Sequence, residues 1–282
     1  TSALQMWAEM KQKYLVIDNR WCLDCNNCFM SCKDEYVLNA WPGYTEAQPR
    51  HGHRWMNIER HERGRYPRND YIYLAKPCQH CENCALVEAG LATKREDGIV
   101  LIDMEAARGR KDAVDMCKYG CVYYNDELDV AQKCTMCAHL MDDPDWEPHC
   151  TRCAHSCPTG SIKSFDMEAE EFAKMIEAEG LETLGDPADK PHVWYKNLYR
   201  YTKNFAWGAI LVDGDCYEGA KCVLKKDGAV VAEQETNYFG DFKFDGLDDG
   251  EYVIEVECVG KTAEIPFVIA GKSLNLDYTE MN

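Results

Sequence analysis

Strict alternation of apolar and polar side chains marks the last quarter of the chain. In GEYVIEVECVG, residues 250–260, Tyr252, Ile254, Val256 and Cys258 fall on one face of a strand, with Glu255 and Glu257 on the other. That period of two predicts a half-buried strand. FKF (242–244) and LNLDY (274–278) alternate likewise, Lys226-Asp227-Gly228 separates two further runs as a hairpin signal, and turn residues recur at sandwich-like intervals. Pro266 lacks a backbone N–H and is expected at an edge or bulge. Residues 206–282 therefore read as an all-β sandwich.

Upstream the period changes. DMEAEEFAKMIEAEG (166–180) carries Phe172, Met175, Ile176 and Glu179 at helical spacing, with Asp166 as a candidate cap and Gly180 as the stop. Together with the aromatic stretch VWYKNLYRYTKNFAW it forms a helix and connector over 166–205. Before it, residues 1–165 are turn-rich, with short apolar pieces such as YLVID and GIVLID that predict small strands. The fold class is α+β. No stretch approaches the roughly 20 apolar residues that cross a bilayer, and the start TSALQMWAEMKQKY lacks the basic and apolar regions of an export leader. A cytoplasmic location is expected, with export on a signal-bearing partner as the alternative.

Composition changes the picture in one respect: 17 cysteines among 282 residues. Disulfide frameworks suit small secreted chains, whereas these cysteines cluster in CxxC units that place thiols on neighbouring turns around a metal. The net charge of −18 argues against nucleic acid or an anionic membrane surface as partner. One basic island interrupts it, RHGHRWMNIERHERGRYPR from Arg50 to Arg68. It reads as a docking face for a partner protein or, more plainly, as a solvated loop with local ion pairs.

Cys22, Cys25, Cys28 and Cys32 spell C-x2-C-x2-C-x3-C, the run by which bacterial ferredoxins hold cubane clusters. A zinc site needs only four ligands from two CxxC-type pairs, and this run is too thiol-rich for that. Its complement is CTMCAHLMDDPDWEPHCTRCAHSCP (134–158). In two-cluster ferredoxins the fourth cysteine of a run ligates the other cluster. That exchange assigns Cys22, Cys25, Cys28 and Cys157 to one 4Fe-4S cluster and Cys32, Cys134, Cys137 and Cys153 to a second. Cys78, Cys81 and Cys84 in PCQHCENC supply three ligands of a third, in a module inserted at about 66–125. The fourth comes from afar: Cys117 in DMCKYGC, or Cys121 as runner-up. Twelve thiols and three clusters result, with iron as the metal. Cys121, Cys150, Cys216, Cys222 and Cys258 remain; the last three read as free thiols buried in the β core. His80, His139 and His155 each sit beside a cluster cysteine, either tuning it by a hydrogen bond or simply packing.

This arrangement resembles the iron-sulfur subunits of the dimethyl-sulfoxide-reductase superfamily of molybdopterin enzymes. Those usually carry four cysteine motifs, and here one is degenerate. WCLDCNNCFMSCKDE, REDGIVLID, VAQKCTMCAHLMDD and DGDCYEGAKCVLK are similar to the small subunits of the pyrogallol-hydroxytransferase (transhydroxylase) type, and NYFGDFKFDGLDDGEYVIEV to their appended prealbumin-like or Cna-B-like sandwich. The resemblance implies ferredoxin-like modules followed by that sandwich. It also implies a heterodimer, or a higher oligomer, whose large subunit holds molybdenum bis-molybdopterin guanine dinucleotide and a phenolic substrate.

No Ser-His-Asp set, phosphate loop or dinucleotide fingerprint is present to carry chemistry in this chain. The expected role is therefore electron transfer as the non-catalytic subunit of a molybdenum oxidoreductase or hydroxytransferase acting on polyphenols, by transhydroxylation or catechol dehydroxylation. The alternatives are a molybdopterin enzyme acting on a sulfoxide, nitrate or another oxyanion, and a zinc-binding structural protein.

Overall fold

The computed structural model describes residues 11–146 and 149–281. The leader-free reading of TSALQMWAEM lies outside the described residues. The chain divides into two compact units. One takes in the chain up to Glu59 together with Tyr73–Leu198; the other takes in Arg60–Ile72 and the chain from Tyr199 onward.

The first unit is framed by a three-stranded sheet. Its middle strand β1 (Gln12–Asp18) contains YLVID and runs antiparallel to β8 (Ile162–Met167) and parallel to β9 (Val193–Lys196). Helix α2 (Ala169–Glu179) covers this sheet, stacking Phe172 on Tyr14 at 3.7 Å and packing Met175 and Ile176 around them. Gly180 ends the helix in the left-handed conformation, as expected (φ 61°). Asp166 does not cap it. That residue lies in β8 and is ion-paired with Lys13, so the helix starts three residues later, after Glu168. Between β1 and β8 along the chain two small hairpins share one core: β4 (Ala92–Lys94) with β5 (Val100–Ile102), and β6 (Val122–Asn125) with β7 (Val130–Lys133). GIVLID thus contributes a strand. Helix α1 (Asn27–Tyr36) carries the second half of the first cysteine run.

The second unit is the sandwich. One sheet centres on β10 (Asn204–Val212), flanked antiparallel by β11 (Asp215–Cys216) and β14 (Asp241–Leu247) and parallel by β17 (Leu274–Glu280). The other has the order β13 (Ala229–Glu235), β12 (Lys221–Lys226), β15 (Gly250–Cys258), β16 (Lys261–Ile269). Tyr252, Ile254, Val256 and Cys258 all face the core, together with Phe242, Phe244 and Leu224, and Glu255 and Glu257 face out. Pro266 sits on the edge strand β16. Cys222 and Cys258 are buried, but Cys216 is exposed, because β11 is a two-residue strand whose residues both face solvent.

The basic island is irregular only over residues 50–56. Residues Asn57–Arg65 form β2 and Arg68–Lys76 form β3, a hairpin whose tip belongs to the sandwich unit. Gly64 is required there: at φ +85°, a Cβ would stand 2.7 Å from the Phe205 ring and 2.4 Å from the Arg68 carbonyl. Arg63, at the heart of the basic run, is 3% exposed.

Candidate metal centres

The cysteine loops are bent by residues in the left-handed conformation: Asp24 and Asn26 in the first run, His80 in PCQHC, and Met136 and Cys137 in CTMC. Such bends aim backbone N–H groups inward. One regularity follows, in that a thiol is approached by the amide of the residue two positions on. The amide of His80 lies 3.5 Å from Cys78 Sγ and that of Met136 lies 3.3 Å from Cys134 Sγ. The amides of Asp24, Tyr119 and Thr159 do the same for Cys22, Cys117 and Cys157. An N–H pointed at sulfur favours the thiolate, which is the metal-binding form.

Three groups of thiols emerge from their mutual electrostatics. Burial, then Cys22, Cys157 and Cys25, push the Cys28 thiol up to about 12. Cys22 is raised by burial, with smaller contributions from Cys157 and Cys25. Burial also opposes the Cys157 thiolate, but three amides and the Thr159 hydroxyl outweigh it and hold that thiol below its ordinary value. In the second group, burial drives Cys32 well above the thiol range, and Cys134, Cys137 and Cys153 add to the effect. Helix α1 explains how Cys28 and Cys32, one turn apart, serve different groups: a C-x3-C step stacks the two thiols along one helix face, so each meets its own partners. Tyr36 hydrogen-bonds Cys137, and Thr151 Oγ1 lies 3.1 Å from Cys153 Sγ.

Cys78, Cys81, Cys84 and Cys117 form the third group and together line a cavity of about 170 Å³, along with Lys133, Tyr119 and Asp189. The Cys117 thiol is held down at about 6, chiefly by hydrogen bonding from Cys121 and also by the Cys121 and Tyr119 amides. Cys121 itself is not among the residues lining the cavity; it is buried with its sulfur 3.3 Å from the Pro77 carbonyl. The groups also feel one another. Cys153 feels the charge of Cys28, and Cys134 feels that of Cys78, so the second group is within electrostatic reach of the first and the third.

A single metal ion needs three or four donor atoms converging on one point, and among the described residues no three His, Cys, Asp or Glu side chains do so. All 17 cysteines are free thiols. Four thiols around an interior space, as at Cys78, Cys81, Cys84 and Cys117, suit a polynuclear cluster held at its corners. The donor set therefore fits a 4Fe-4S cubane better than zinc. Cys150 has no other cysteine among the groups acting on it and is half-buried; its carbonyl accepts from the Trp146 indole at 2.8 Å.

The three histidines divide. His80 is buried and its Nδ1 accepts the Val100 N–H at 3.0 Å; burial and then Lys133 hold it well below its ordinary value, hence neutral. His139 bonds Glu35 Oε1 at 2.9 Å and stacks on Trp41, while His155 is exposed against the edge of Trp146. His192 carries no signal in the sequence. It is buried, with Nε2 2.9 Å from Glu82 Oε1, and Glu82 lies between Cys81 and Cys84. Gly98 (φ +88°) packs against its ring so closely that a Cβ would come within 1.9 Å. Gly98→Ala is expected to cost about 1–3 kcal/mol through overpacking and left-handed strain, read as a lowered urea midpoint of unfolding.

Comparison with known proteins supports iron-sulfur binding. Residues 69–167 match the family described as "4Fe-4S dicluster domain". The chain is 54% identical to the pyrogallol hydroxytransferase small subunit of Pelobacter acidigallici over 275 residues, 96% of this chain and 100% of that one. It is also 37% identical to the beta chain of dimethylsulfide dehydrogenase from Rhodovulum sulfidophilum, over 32% of this chain and 29% of that protein. With the beta chain of selenate reductase from Thauera selenatis it shares 32% identity over 33% of this chain and 29% of that one.

Proposed function

Because the chain belongs to the pyrogallol hydroxytransferase small-subunit family, iron-sulfur subunits of molybdopterin enzymes, we propose that it carries three 4Fe-4S clusters and relays electrons in a molybdenum enzyme acting on polyphenols. The observation that carries this reading is the succession of three four-thiol groups, the middle one within electrostatic reach of both others. We assign Cys22, Cys25, Cys28 and Cys157 to the first cluster, Cys32, Cys134, Cys137 and Cys153 to the second, and Cys78, Cys81, Cys84 and Cys117 to the third. Cys117 is preferred to Cys121 because it lines the cavity and is held as a thiolate.

A thiolate-bound cubane supplies one-electron exchange. The chain's own contribution is to hold the thiols, aim amides at the sulfurs and exclude water from Cys32, Cys78, Cys137 and Cys153, all of them buried. Substrate chemistry belongs to a large molybdenum-bearing partner. Moving a hydroxyl between polyphenols is redox-neutral overall, whereas removing one from a catechol requires net electron input, and an electron relay serves either reaction. Dimethylsulfide and selenate are less favoured as substrates, since the relatives named for them match less than half of this chain.

The test is metal analysis of the anaerobically purified complex, combined with electron paramagnetic resonance of the reduced protein. About twelve irons per copy of this chain are expected, four for each thiolate-held cubane, with molybdenum in the co-purified large subunit. Zinc in place of iron would overturn the proposal.

A further inference from the structure

Lys133 ends β7, a strand on which every residue is buried. It is 3% exposed, and its ammonium hydrogen-bonds two carbonyls, those of Val100 and, at 3.1 Å, Cys134. Among the described residues no carboxylate lies within ion-pair reach of it. Other cations around these sites are matched: Lys94 by Glu82 at 2.8 Å, Lys118 by Asp189 at 2.5 Å, and Arg152 by Glu35 at 3.0 Å. A buried charge without a counter-charge is costly, and two neutral carbonyls offset that cost only in part.

The missing anion has a place. Lys133 lines the cavity ringed by Cys78, Cys81, Cys84 and Cys117, and it precedes Cys134 of the second group. Its ammonium bonds the Cys134 carbonyl while the side chain lines the cavity of the third group, so one buried charge touches both groups. We propose that Lys133 is the positioning residue that balances charge between the second and third clusters and raises the potential of the third. The proposal rests on the three-cluster reading above. Reducing a cluster adds one negative charge to it, and a fixed positive charge in a poorly solvated interior favours the state with more negative charge.

The experiment compares the wild-type complex with Lys133→Gln and Lys133→Arg, each assembled with its large subunit. Iron is counted first, and midpoints are then read by a redox titration followed by electron paramagnetic resonance. Glutamine keeps a donor for the carbonyls and removes the charge. Lys133→Gln is expected to retain full iron and to shift the midpoint of the third cluster toward the oxidised form by tenfold or more in equilibrium, about 59 mV for a one-electron couple. Lys133→Arg is expected to restore the wild-type value. Full iron with an unchanged third-cluster midpoint in Lys133→Gln overturns the proposal. If Lys133→Gln loses iron, Lys133→Arg decides: full iron with wild-type midpoints supports a requirement for charge, and loss of iron there too assigns the residue to packing and overturns it. A wild-type complex with no signal from a third cluster refutes the underlying reading before any variant is compared.

Discussion

Replacing Cys32 by serine is expected to remove one cluster and leave two, taking iron from about twelve to about eight per chain, four irons per cubane lost. Cys32 is buried on α1 and meets Cys134, Cys137 and Cys153, with no part in the first group. A hydroxyl in its place is a poor substitute for a thiolate toward iron, and three remaining thiols in a buried ring are strongly disfavoured as anions: Cys134 is pushed up to about 12 and Cys137 to about 11, in each case mainly by burial. Because the second group is within electrostatic reach of both others, its loss is also expected to break the relay, so that dye-driven electron delivery to the large subunit collapses. Cys28→Ser, one helical turn earlier, should instead abolish the resonance of the first cluster. Cys258→Ser, in the sandwich core, should keep about twelve irons. Metal and folding are coupled in such sites, so each variant is compared only after co-purification with the partner shows it assembled. Unchanged iron in Cys32→Ser would remove that residue from the ligand set.

The cysteine runs were legible because cluster chemistry demands one residue type at short spacing. The sandwich was legible for a different reason. One face of β15 is wet, so Glu255 and Glu257 alternate visibly with Tyr252, Ile254 and Val256. Where a strand is buried on both sides that signal vanishes: VAQK of β7 shows no alternation, which is why Lys133 stayed hidden beside a conspicuous cysteine. Cap chemistry misled at Asp166, whose carboxylate is taken by Lys13 from the neighbouring strand, 153 residues away in sequence. Local spacing also gave no warning that Cys216 would fall on a two-residue strand in solvent. The basic island misled at Arg63, which is buried where Arg60, Arg65 and Arg68 around it are exposed. A run of arginines and histidines reads as solvated until its partners are known, and those of Arg63 lie far along the chain.

Arg63→Met is expected to destabilise the sandwich unit by about 3–5 kcal/mol, the usual cost of removing one member of a buried ion pair. The Arg63 side chain is 1% exposed. Its guanidinium forks onto both oxygens of Asp245 at 2.9 and 3.0 Å, bonds Asp70 at 2.7 Å and the Lys203 carbonyl at 3.0 Å, and lies over the Phe205 ring. Lys243 also reaches Asp70 and Asp245, and Arg200 reaches Asp70 at 3.4 Å, so neither carboxylate is left unpaired, which places the effect toward the lower end. Arg63→Lys keeps the charge and loses the planar fork, and should fall between wild type and Arg63→Met. Acid supplies an independent check. Burial raises the Asp70 carboxyl, but hydrogen bonds from Lys243 and Arg63 outweigh it and hold the group below its ordinary value. A carboxylate depressed in the folded state stabilises above its unfolded value of about 3.9 and loses that contribution as pH falls through the lower folded value. The gap between wild type and Arg63→Met should therefore be widest near neutral pH and narrow below about pH 4. Hydrogen exchange of the β10 and β14 amides reads it locally, and a difference under about 1 kcal/mol at neutral pH would mean that Lys243 and Arg200 suffice for the two carboxylates.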